Sequence, residues 1–247
     1  MRALATLHRW WGVAFCLLFA MWFASGVVMH FVPFPERREA PLPREIEALR
    51  ATARSIDYDQ WTLAGDFDSD RPLMRIALND DAGTEIYVAA KSGQVVLTTT
   101  RRERVTNYFG AIAHWIYVPP LRHHAPLWRL LLWWLSLLGT IGAGLGVIVG
   151  IAKLGIAIRD KTPAYRGLQA LHHYLGLAFA PLIIAWIFSG LLSLGETWPL
   201  RSLHTLDFPP LSSHPLVRTV VVTTLCLAGL AFSLTGVVLA WRKAADG

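Results

Sequence analysis

Charge is scarce in this sequence. Asp, Glu, Lys and Arg supply 16% of its 247 residues, against 54% for the hydrophobic types. That balance excludes an ordinary soluble domain. Cysteine is almost absent as well. Cys16 and Cys226 both fall inside apolar runs, which excludes a disulfide framework or a cysteine-based metal motif and reads as small packing residues. No phosphate-binding glycine loop, nucleophile–base pairing or hydrolytic metal motif is present. The net charge of +6 comes without a basic stripe interleaved with aromatics, so no nucleic-acid partner is expected.

Long apolar runs take the place of charge. Leu4 to Val32, Leu127 to Ile151, Leu168 to Leu194 and Leu216 to Trp241 each reach the roughly 18 residues that a membrane span requires. Pro181 removes a backbone donor inside the third run and predicts a kink there. Basic residues flank one face: Arg2 and Arg9, then Lys153, Arg159, Lys161 and Arg166, then Arg242 and Lys243. The positive-inside rule makes that face cytoplasmic. Both termini then lie inside, with residues 33–126 and 195–215 outside. The first run is too long for a signal-peptide core and no small-x-small cleavage site follows it, so it reads as an uncleaved anchor. Ten of the eleven tryptophans lie in or beside the spans, as interfacial anchoring and packing require.

Residues 33–103 break the apolar pattern. Pro33, Pro35, Pro41 and Pro43 stiffen the exit from the membrane. A short amphipathic helix is expected over Arg44 to Ser55. Strands are expected over Trp61 to Phe67, Leu73 to Asn79, Glu85 to Ala90 and Gln94 to Thr99, with turns at Asp80 to Gly83 and Lys91 to Gly93. This small α+β domain contains no cysteine or histidine. Asp66, Asp68, Asp70, Asp80 and Asp81 read as a solvated loop rather than a cation site. The expected organisation is span one over 1–32, the outside domain over 33–103, an outer interfacial segment with span two over 104–158, and spans three and four over 159–247.

An internal repeat carries the functional signal. Leu7-His8-Arg9-Trp10-Trp11-Gly12 aligns with Leu171-His172-His173-Tyr174-Leu175-Gly176 at an offset of 164, and the match runs on to Ser25-Gly26 and Ser189-Gly190. At an offset of 90, His114 aligns with His204, Pro119-Pro120-Leu121 with Pro209-Pro210-Leu211, Gly139 with Gly229, and Gly146-Val147 with Gly236-Val237. The fold expected is therefore an all-α bundle of four transmembrane helices, built as two tandem helix hairpins about an approximate two-fold along the membrane normal. The outside domain is inserted only in the first copy.

The repeat sorts histidines by depth. His8 and His172, with His173 beside them, fall at the cytoplasmic ends of spans one and three; His114 and His204 fall outside, before spans two and four. Facing imidazoles in a bundle core suit axial ligation of haem iron. Gly12 and Gly176 lie four residues beyond His8 and His172, on the same helix face, and leave room for a flat macrocycle. Arg9 and Arg166 are candidates for the propionates of an inner haem. Arg122, Arg129, Arg201 and Arg218 are candidates outside. His30 is a rival outer ligand without a repeat partner, while His123, His124 and His214 read as interfacial. Interfacial hydrogen bonding by histidine and close helix packing by glycine are the alternatives at every one of these positions.

These residues resemble the PepSY-associated transmembrane helix family of bacterial inner-membrane proteins. Leu7 to Gly12, Ser25-Gly26, His172 to Gly176, Trp186 to Ser193, Leu203 to Pro209 and Ser233 to Val238 carry the likeness, and Val88 to Val96 falls at the signature hairpin of a PepSY-like domain. The resemblance covers nearly the whole chain. It implies an inner-membrane location with the inserted domain in the periplasm. Some relatives are haem-containing reductases of ferric siderophores. The implied activity is electron transfer through one or two haem b groups, from a cytoplasmic or quinol donor to a periplasmic ferric chelate or protein acceptor, within membrane lipid. Other PepSY proteins are regulators or sensors, which keeps a non-enzymatic interaction protein as the alternative.

Overall fold

The computed structural model describes residues 2–47, 53–63, 65–193 and 198–245. In chain order its helices are α1 (Arg2–Phe31), α2 (Arg44–Glu47), α3 (Arg101–Phe109), α4 (Ala111–His114), α5 (Pro119–Arg122), α6 (Ala125–Asp160), α7 (Gly167–Ser193), α8 (Trp198–Thr205), α9 (Pro209–Ser212) and α10 (Pro215–Ala245). The strands are β1 (Arg54–Ile56), β2 (Leu73–Ala77), β3 (Glu85–Ala89) and β4 (Val95–Thr99). The chain divides into two compact units, one of Met1–His30 with Arg129–Gly247 and one of Phe31–Trp128.

The first unit holds the helices long and apolar enough to cross a membrane: four among the described residues, α1, α6, α7 and α10. Apolar side chains such as Leu17, Ile148, Phe188, Val220 and Leu227 face outward, as lipid contact requires. α6 runs on to Asp160, beyond the expected end at Ile151, so Lys153 and Arg159 belong to the helix. α7 continues through Pro181. Leu194, the expected end of the third span, lies outside the described residues.

Inside the bundle, α1 and α7 each touch the other three spanning helices. Phe23 meets Trp186 at 5.9 Å between ring centres and clusters with Ile183 and Ile187. Glycines set the close approaches. A methyl added to Gly229 would lie 2.5 Å from the Phe23 ring, and one added to Gly139 would lie 3.6 Å from Ile187 Cγ2. Gly229 and Gly139 are repeat-equivalent, and so are Phe23 and Ile187. The same pairing thus recurs, tight between α10 and α1 and at ordinary contact distance between α6 and α7, where the close neighbour of Gly139 is Phe19 of α1 at 3.0 Å. Buried Ser25 and Ser189, also equivalent, each return their hydroxyl proton to a carbonyl one turn back: Ser25 to Met21 and Trp22 at 2.6 and 3.1 Å, Ser189 to Trp186 at 3.0 Å. This is how a hydroxyl is satisfied where water is absent.

The second unit is built on an antiparallel sheet of order β1-β2-β3-β4. Ile76 pairs with Ile86 and Leu73 with Ala89, with a register shift at Tyr87/Val88. Both sheet faces are covered. Leu73, Tyr87 and Leu97 pack with Trp61, Phe67, Ile112 and Tyr117; Ile76, Ile86, Val88 and Val95 pack with Leu42 and Ile46. α3 starts on a capping box, with the Thr100 hydroxyl accepting from the Glu103 N–H and the Glu103 carboxylate accepting from the Thr100 N–H at 2.7 Å.

Three expectations are corrected here. The helix over Arg44 to Ser55 does not reach its end: Arg54–Ile56 is an edge strand whose backbone pairs with β2, and pairing overrides local preference. Residues 48–52 of that expected helix lie outside the described residues. The strand over Trp61 to Phe67 is instead a turn followed by a 3-10 helix at Gly65–Asp70; Trp61, Leu63 and Phe67 are buried, but by turns rather than by a pleat. The unit extends past residue 103 to Trp128, because Ile112 and Tyr117 join the sheet's core. The aspartates serve locally: Asp70 pairs with Arg37 at 2.9 Å, Asp68 with Arg71 at 3.0 Å, and Asp80 accepts from the Thr84 N–H at 2.7 Å.

Candidate functional site: a histidine cluster in the bundle

His8 and His173 both lie within electrostatic reach of His172, near one end of the bundle. α1 carries the first and α7 the other two. Each of the repeat-equivalent pair rests on a glycine of its own hairpin partner. A methyl on Gly146 of α6 would lie 2.7 Å from His8 Cε1, and one on Gly236 of α10 would lie 3.5 Å from His172 Cε1. Gly146 and Gly236 are themselves repeat-equivalent, so the repeat has placed two imidazoles in matching seats.

Their surroundings differ. His172 Nδ1 lies 2.7 Å from Thr235 Oγ1, and its ring stacks on Phe232 at 4.7 Å and 16°. The His8 ring lies beside the Gly142 carbonyl, and its buried Nδ1 has no hydrogen-bond partner among the described residues. Trp11 closes that side by donating from Nε1 to the Leu138 carbonyl at 2.8 Å. His173 is buried between Tyr165 and Tyr174, with ring centres at 5.2 and 5.0 Å, and its Nε2 also lacks a partner among the described residues.

The two candidate spacer glycines part company. Nothing lies within 4 Å of a methyl built on Gly12, whereas one on Gly176 would meet the Phe232 ring at 3.1 Å. Arg9 is exposed, with its guanidinium 5.8 Å from the Trp10 ring centre.

The outer candidates are placed separately. His204, on α8, packs against α7: a methyl on Gly190 would lie 3.0 Å from its Cε1, and its Nδ1 is 3.1 Å from the Trp186 carbonyl and 3.3 Å from Ser189 Oγ. Since a carbonyl only accepts, Nδ1 carries the proton. Burial lowers the His204 pKa, and the Trp186 carbonyl opposes this in part. His114 ends α4 in the sheet unit. His30 bonds Thr219 of α10 at 2.9 Å. Arg218 donates to the Leu206 and Thr205 carbonyls at 3.1 and 3.0 Å, so it fastens the end of α8. Arg122 stacks over Trp128 at 4.6 Å. His123 meets Tyr58 edge-on at 4.8 Å.

Thr235 and Phe232 are missing from the sequence expectations. Their repeat counterparts are Leu145 and Gly142, so a search for duplicated residues passes over both. Among the described residues no group of three or more His, Cys, Asp and Glu side chains could hold a metal ion. Comparison with protein-family models, curated proteins and solved structures yields no match for this chain.

Proposed function

We propose that the chain is a haem b-binding electron-transfer protein of the bacterial inner membrane, with His8 and His172 as the axial pair of one haem. The observation that carries this reading is the matched seating of two repeat-equivalent imidazoles on repeat-equivalent glycines, Gly146 and Gly236, in a lipid-facing bundle. The donors suit the group. Both are half-buried imidazoles; His8 Nδ1 lacks a partner among the described residues, and His172 is anchored through one nitrogen. Haem would supply reversible one-electron chemistry. The chain's own work is to hold the two rings, exclude water and keep the site apolar. Arg9 is the candidate for a propionate, and the space beside Gly12 is the candidate for the ring edge.

The resemblance to PepSY-associated proteins adds direction. Electrons would enter from a cytoplasmic or quinol donor and leave to a periplasmic ferric chelate or protein, with His204 and His30 of the bundle unit as candidates for ligands of a second haem. A second reading, a sensor that uses the sheet unit to bind a partner, is favoured by a cleft there lined by Trp61, Arg75, Glu85, Arg101, Arg104 and Tyr108. The absorption spectrum of protein purified from haem-replete cells separates the two. A Soret band with split reduced bands supports electron transfer; colourless, folded protein overturns it in favour of the sensor.

A further inference from the structure

The geometry points to Thr235 as a positioning residue that fixes His172 in the Nδ1–H form and presents the Nε2 lone pair to a ligand, an inference that builds on His172 as a haem ligand. It follows from counting protons. The Thr235 hydroxyl has one. Its oxygen lies 2.6 Å from the Phe232 carbonyl oxygen, and a carbonyl can only accept. If the proton pointed elsewhere, two sets of oxygen lone pairs would face each other at that distance in a medium that screens little. The hydroxyl therefore donates to Phe232 and accepts from its second neighbour, His172 Nδ1, at 2.7 Å. Nδ1 must carry hydrogen, so the neutral ring keeps its lone pair on Nε2. A hydrogen bond of this kind on the far nitrogen sets both the tautomer and the orientation of a ligating histidine.

Two further contacts hold the ring in this pose. Phe232 stacks on one face at 4.7 Å, and Gly236 admits the ring edge. Thr235, Phe232 and Gly236 lie within five residues of α10, so one helix turn grips the imidazole on three sides. The first repeat lacks two of the three, having Leu145 and Gly142 in place of Thr235 and Phe232. His8 Nδ1 is correspondingly without a partner among the described residues. His172 is the preset ligand of the pair.

The test uses the full chain in lipid nanodiscs, haem-free, as wild type, Thr235→Val and Thr235→Ser. Nitrogen-15 NMR of labelled histidine, with His172 assigned by His172→Gln, reads the tautomer; titration with haem followed at the Soret band reads Kd. The wild type and the serine variant should show His172 protonated at Nδ1. The valine variant keeps the branched shape and should show mixed tautomers, with Kd raised about tenfold or more. An Nε2–H His172 in the wild type overturns the assignment without any variant, and so does a valine variant matching the wild type in both readouts. Wild type that binds no haem would defeat the proposed function alone, since the NMR comparison still decides the role of Thr235.

Discussion

In the first hairpin, His8 of α1 rests on Gly146 of α6, with a bare backbone beside it and no side chain holding its Nδ1 among the described residues. In the second, His172 of α7 rests on Gly236 of α10 and is gripped by Thr235 and Phe232. The seats are duplicated; the fastenings are not. Duplication gives two imidazoles equivalent glycine seats. Divergence between the copies has given His172 side-chain partners and left His8 beside backbone.

The largest effect should come from removing either imidazole. His8→Ala and His172→Ala should each abolish the bis-histidine spectrum, read as loss of the split reduced bands in purified protein. The losses should differ in kind. His8→Ala keeps the preset ligand and should retain weak haem with an altered Soret position, while His172→Ala should retain least. Identical residual binding in the two variants would mean that the different fastenings have no consequence.

The glycine seats give the next contrast. Gly146→Ala puts a methyl 2.7 Å from His8 Cε1, a clash that forces the ring to move, whereas Gly236→Ala meets His172 at an ordinary 3.5 Å. Overpacking of this kind costs about 1–3 kcal/mol. Gly146→Ala should therefore lower thermal stability in detergent and reduce haem content, with Gly236→Ala near wild type in both. Equal tolerance would show that His8 is free to leave its seat.

Much of this was legible before the fold was known, and the reason is local. A span declares itself through continuous apolar composition, so α1, α6, α7 and α10 needed no tertiary information. The repeat paired His8 with His172 because both copies kept the same residues. Side chains that one copy gained and the other lacks are invisible to that comparison, which is why Thr235 and Phe232 emerge only from the packing of α10 on α7. In the sheet unit, the apolar character of Trp61, Leu63 and Phe67 reported their burial but not its mechanism, and Thr62 between them is fully buried as well. Gly65 and the aspartates around Phe67 favour a tight turn, and the three-residue β1 is too short to carry a pattern at all.

A smaller contrast concerns the two spacer glycines. Leucine at Gly176 must displace Phe232, which meets a methyl there at 3.1 Å, and so disturbs the stack on His172. The first atom of a side chain at Gly12 meets nothing within 4 Å. Gly176→Leu should lower both stability and haem affinity. Gly12→Leu should leave stability intact and lower haem affinity only through the space it fills. A Gly12→Leu protein with unchanged haem affinity would place the macrocycle elsewhere.

The smallest effect should be the pH response of α8, which tests whether the outer histidine of the second copy docks its helix. His204 Nδ1–H donates to the Trp186 carbonyl, and the indole of Trp186 donates back to the His204 carbonyl at 2.9 Å. Burial lowers the His204 pKa below the usual 6.5. An undocked α8 has a solvated histidine that titrates near that usual value. As pH falls through about 6.5, the undocked state takes up a proton that the docked state refuses, so docking weakens; above it both states are neutral and docking is at full strength. Hydrogen exchange of the peptide spanning Trp198–Thr205, corrected for intrinsic rate and followed from about pH 8 to about pH 5, should show protection lost on the acid side. His204→Gln can still donate to Trp186 but cannot titrate, and its protection should be flat across the same range. Acid-dependent loss that persists in the glutamine variant would assign the response to another group and leave His204 a packing residue.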